Sequence, residues 1–67
     1  MQNSPHCCTL QWHKDISSWQ HLMRICYWCF ENVGDYTVTT VVKENTSLVV
    51  FEFETQQDAL MFHMVWL

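Results

Sequence analysis

"YTVTTVVKENTSLVVFEFE" (residues 36–54) decides the fold. Its first part is β-branched almost throughout, which predicts a strand over about 36–43. "KENTS" supplies a turn. "LVVFEFE" predicts a second strand over about 48–54. Val49, Phe51 and Phe53 fall on one face, and Val50, Glu52 and Glu54 on the other. That alternation marks an antiparallel strand with one wet face. The short turn makes the pair a β-hairpin. An isolated hairpin is marginal in water, so the Phe51/Phe53 face needs a cover.

The flanking segments supply it. Upstream, "DISSWQHLMRICYWCFENVG" predicts a helix over about 18–32. Ser17 is the expected N-cap, because Gln20 three residues on completes a capping box. Trp19, Leu22, Met23, Cys26 and Phe30, with Cys29 alongside, recur at helical spacing and form the expected inner face. Ile25, Tyr27 and Trp28 widen the apolar surface. Trp28 and Cys29 are expected to pack toward the hairpin. Gly34, the only glycine, stands just past the helix, where a left-handed C-cap costs glycine nothing.

Downstream, Thr55 is the expected cap of a second helix. Asp58 in its first turn faces the positive end of the helix dipole. Ala59, Phe62, Val65 and Trp66 form its expected core face, with a short strand through "HMVWL" as the alternative ending. The order helix, hairpin, helix predicts a two-layer α+β domain over residues 1–67. "TLQWH" (9–13) offers a short N-terminal strand, since Leu10 and Trp12 alternate with polar neighbours. Residues 1–9, with the turn formers Asn3, Ser4 and Pro5, read as loose.

Sixty-seven residues make one domain. Domains this small bury only about 60% of their unfolded surface and need a metal, disulfides, a partner or a very apolar core. Here 49% of residues are hydrophobic and four are Trp, so part of that load is expected at the surface. This favours a homodimer or a protein partner. Lys14, Arg24 and Lys43 do not cluster and the net charge is −4. Both facts argue against direct nucleic-acid binding and against anionic membrane surfaces. No apolar run approaches the roughly 20 residues of a membrane span. The N-terminal stretch lacks the pattern of a secretory signal. The expected location is a reducing cytosol, where cysteines stay thiols.

Cys26-Tyr27-Trp28-Cys29 is the one stretch that looks like chemistry. A redox CxxC places its nucleophile at a helix N-terminus, where the dipole stabilises a thiolate. This pair falls in the second half of its helix, where the dipole opposes one. Packing as small apolar side chains is the plainer reading. The alternative is a zinc-stabilised mini-domain using Cys7, Cys8, Cys26 and Cys29, with His6 nearby, although an adjacent cysteine pair is an unusual ligand spacing. Cys7 and Cys8 otherwise read as free thiols in the loose N-terminus. His6, His13, His21 and His63 are scattered, with no carboxylate spaced to orient one as a base. His21 shares a face with Arg24 and reads as a surface residue; His63 reads as a boundary residue. No catalytic residue and no cofactor is expected. Glu52 and Glu54 line one strand face. The plain reading is a solvated sheet surface; the sharper one is an acidic patch that docks a basic partner.

"YWCFENVG", the hairpin, and then "FEFETQQDALMFHMVW" resemble small uncharacterised proteins of tailed bacteriophages. The matching residues are Trp28, Cys29, Glu31, Asn32 and Gly34, then Phe51 and Phe53, then Asp58, Ala59, Phe62 and Trp66, within about residues 27–67. The chain departs from that pattern at His63 and Val65, where such proteins often carry basic residues. The resemblance implies a phage origin and a fold, and no activity. Small phage proteins of this kind often act by binding and blocking a host protein. The expectation is therefore a non-catalytic accessory protein in the host cytoplasm that binds a host protein, as a takeover or anti-defence factor. A minor structural or self-assembling phage component is the alternative.

Overall fold

A computed structural model describes residues 6–67. Five elements follow one another: β1 (Cys7–Gln11), α1 (Trp19–Asn32), β2 (Tyr36–Lys43), β3 (Thr46–Phe53) and α2 (Gln56–Trp66). The strands form one antiparallel sheet in the order β1-β3-β2. The fold is α+β, as the sequence predicts, and the short N-terminal strand is real. β1 begins at Cys7, so residues 7–9 are paired with β3, which corrects the expectation of a loose segment there. Asn3, Ser4 and Pro5 lie outside the described residues.

β3 occupies the centre of the sheet, and its apolar face lies inward. Val49, Phe51 and Phe53 are buried, while Glu52 is exposed. Pairing puts Leu10 of β1 opposite Val49, and Cys8 opposite Phe51, on that same inner face. The helices supply Leu22, Ile25 and Cys29 from α1 and Ala59 and Phe62 from α2. Phe51 and Phe62 rings meet at 4.9 Å, and Phe53 and Phe62 at 5.1 Å. Truncating a buried phenylalanine costs about 3–5 kcal/mol. A domain of this size has a total stability of the same order.

The β2–β3 turn is tighter than the sequence suggests. Lys43 pairs with Thr46, which leaves only Glu44 and Asn45 in the loop. Both take positive φ, 52° and 65°. Two such residues match the right-handed twist of the strands. The loop after β1 is also compact. Asp15 accepts the Gln11 N–H at 2.9 Å and the Gln11 carbonyl accepts from Asp15 N–H at 2.8 Å, which turns Ile16 into the core.

Three expectations about α1 need correction. Its N-cap is Ser18, whose side chain accepts the His21 N–H at 3.1 Å. Its buried face is Leu22, Ile25 and Cys29, whereas Trp19, Met23 and Phe30 are exposed. Nine of its fourteen residues are apolar, so spacing alone could not set which arc meets the sheet. Its C-cap is an extended Val33, and Gly34 has no positive φ. Gly34 instead donates its N–H to Asp58 at 3.3 Å.

The helix α2 begins as expected. The Thr55 side chain accepts the Asp58 N–H at 3.1 Å. The helix continues to Trp66, so no terminal strand forms. Val65 is exposed, which removes it from the predicted core face. The Trp28 ring stands edge-on to Phe62 and Trp66, so it packs toward α2 and not toward the hairpin.

Candidate functional site

The cysteines occupy two faces of the sheet. Neighbouring residues of a strand point to opposite sides. Cys8 therefore enters the core, where its thiol donates to the Ala59 carbonyl at 3.5 Å, while Cys7 stands exposed on the outer face. Cys26 is half-buried and Cys29 fully buried on α1. Burial pushes the Cys29 pKa up to about 12, and the nearby Cys26 and Cys8 add to the rise. Burial also raises Cys26, and raises Cys8 with help from Cys7.

The three inward thiols thus stay protonated at neutral pH. Attack on an electrophile needs the thiolate. Cys7 cannot join them, because the pleat of β1 carries it to the other side. Among the described residues, no three His, Cys, Asp or Glu side chains stand together as a metal site. The fold sets Cys8, Cys26 and Cys29 on the inner side of the sheet and Cys7 on the outer side, so the four expected zinc candidates do not share one face.

The histidines stay apart as well. His21 is half-buried and not a surface residue. Its Nδ1 accepts the Ser17 N–H at 3.1 Å, so the proton of the neutral ring sits on Nε2. Its ring lies 6.0 Å from Trp66. Its job is to join the start of α1 to the end of α2. His63 is exposed on α2.

Glu52 and Glu54 do come together. With Asp35 they line a shallow depression of about 240 Å³ at one end of the sheet. Glu54 and Asp58 carboxylate oxygens each lie 3.8 Å from where a Cβ on Gly34 would stand. Asp35 is distant in the chain and Asp58 belongs to α2, so the strand alternation that marks the glutamates points to neither. The β2–β3 register pairs Tyr36 with Phe53, which carries the preceding Asp35 to this end of the sheet, and the Gly34 N–H holds Asp58 in place.

The larger feature is apolar. Trp19, Met23, Tyr27 and Phe30 form an exposed stripe along α1. Leu60, Met64 and Leu67, at i, i+4 and i+7, form a second on the outward side of α2. Among the described residues, no helix is long and apolar enough to cross a membrane. The chain matches no protein-family model, no curated protein and no solved structure.

Proposed function

We propose that the protein is a non-catalytic phage accessory factor that acts by binding a host protein in the host cytoplasm. The carrying observation is the α2 stripe: Leu60, Met64 and Leu67 are 56%, 85% and 53% exposed. Exposed apolar side chains aligned on one helix face fit a groove-binding contact with another protein. Protonated inner thiols support the absence of nucleophilic chemistry. The phage-like pattern supports a host partner. The acidic end at Glu52 and Glu54 would steer a basic host surface to the contact, and mixed apolar and charged contacts are usual in such interfaces.

Affinity capture from host lysate tests this reading, with wild type beside a Leu60→Ser/Met64→Ser variant and a Glu52→Lys/Glu54→Lys variant. One host protein should be retained by the wild type, lost with the α2 variant, and captured more slowly by the charge-reversed one. Recovery of the protein alone, together with normal infection after deletion of the gene, would sink the proposal.

A further inference from the structure

The open edge of β2 carries a second surface. Phe53 donates its N–H to the His6 carbonyl, and Trp12 donates to the Ser47 carbonyl. The odd-numbered residues of β3 therefore turn their main-chain groups toward β1. The even-numbered ones turn toward β2, where they meet Thr37, Thr39, Val41 and Lys43. It follows that Tyr36, Val38, Thr40 and Val42 point their N–H and C=O groups away from the sheet. Four residues thus offer four donors and four acceptors along one free edge.

Natural edge strands are guarded by central charges, prolines or bulges. β2 reads "YTVTTVVK": it has no proline, no glycine, and one charge at its last residue. Its helix-side face is also uncovered, with Val38 40% and Val42 70% exposed. The exposed stripe of α1 flanks that face. Tyr36 reaches up to the Cys26 carbonyl at one end, and Trp19 and Thr40 line one groove at the other. At the ends of that face Trp19 lines a depression with Thr40 and Phe30 one with Tyr36, and Met23 stands exposed between them on α1. These three α1 side chains are each about 70% exposed.

We propose that a second copy of this chain covers this face, by antiparallel β2–β2 pairing about a two-fold axis at Thr39. In that register Val38 faces Thr40 and Tyr36 faces Val42 of the other copy, so every free main-chain group on the edge is paired. Asp35 of each copy stands opposite Lys43 of the other, which gives two complementary charge pairs. Other registers do worse. Centring on Thr40 sets Tyr36 against Glu44, which has already turned away with φ 52°. Centring on Val38 sets Val42 against Gly34, which lies before the strand. The same two-fold brings the two α1 helices together antiparallel, with Met23 near the axis and Trp19 facing Phe30 of the second copy. One isologous contact thereby continues the sheet to six strands and covers both apolar surfaces. The α2 stripe stays outside the seam, so host binding and self-pairing fail separately.

Sedimentation and directed disulfides test the pairing in the full chain. Wild type should sediment at twice the 8.1 kDa chain mass. In a Cys7→Ser background, Thr39→Cys should oxidise to a covalent dimer, because opposed residues of a non-hydrogen-bonded pair suit a disulfide. Thr37→Cys and Val41→Cys should each stay monomeric on a denaturing gel yet cross-link when mixed. Met23→Glu, at an exposed position, should yield a folded monomer by circular dichroism. A wild type that is monomeric up to millimolar concentration overturns the proposal. So does a dimer in which Thr39→Cys fails to cross-link, or one that Met23→Glu leaves intact.

Discussion

The Tyr36 hydroxyl donates to the main-chain carbonyl of Cys26 at 3.1 Å, joining the first residue of β2 to the middle of α1. Burial raises the Tyr36 pKa, and the nearby Cys26 and Cys29 thiols add to the rise, so the hydroxyl remains a donor at neutral pH. Tyr36→Phe keeps the ring beside Phe53 and removes only this bond. The expected loss is about 1 kcal/mol. Urea unfolding at fixed protein concentration should show a lower midpoint and an unchanged slope.

The start of α1 gives a paired prediction. Ser18→Ala removes the side chain that satisfies the His21 N–H and should cost about 1 kcal/mol. Ser17→Ala should stay within about 0.5 kcal/mol, since the Ser17 main-chain N–H keeps its 3.1 Å bond to His21 Nδ1 when the Oγ, 3.3 Å from the same nitrogen, is removed. Thermal melts of the two variants decide the cap. The reverse order would restore Ser17 to that role.

The β2–β3 turn holds stored strain at Glu44 and Asn45, whose φ angles are positive. A left-handed conformation costs a non-glycine residue roughly 1–2 kcal/mol, less for asparagine. Glu44→Asn with Asn45→Gly installs the residues this turn favours. The double variant should gain about 1 kcal/mol and melt about 4–8 °C higher. No gain in melting temperature would mean the turn is not of this type.

Thiol burial predicts an alkaline limit. Cys29 is neutral in the fold up to about pH 12, whereas its ordinary value is 9.0. The unfolded chain therefore loses its proton first as pH rises. The stability tied to the neutral thiol is complete below pH 9 and drains away between pH 9 and pH 12. Cys8 and Cys26, shifted the same way, act in the same direction. Melting temperature followed from pH 7 upward should hold and then fall, and Cys29→Ala should flatten the fall. Under native conditions iodoacetamide should modify exposed Cys7 first and buried Cys29 last.

Local chemistry made much of this fold readable in the sequence. Alternation placed Val49, Phe51 and Phe53 inward on β3, because side chains in a strand have a period of two and a charged face cannot be buried. Thr55 and Asp58 marked the start of α2, because capping is a contact among near neighbours. The arc of α1 that meets the sheet was a tertiary decision. With apolar residues on most of its circumference, spacing favours Phe30 on the inner face, yet packing against the sheet buries Ile25 and leaves Phe30 in solvent. The short N-terminal strand was half legible. Leu10 alternates correctly, but Cys7 and Cys8 gain a strand only because β3 offers them an edge. The same pairing separated the four cysteines. Adjacent in sequence, Cys7 and Cys8 look like one pair of ligands; in a pleated strand they point to opposite faces, and no spacing rule can show that before the partner strand is in place.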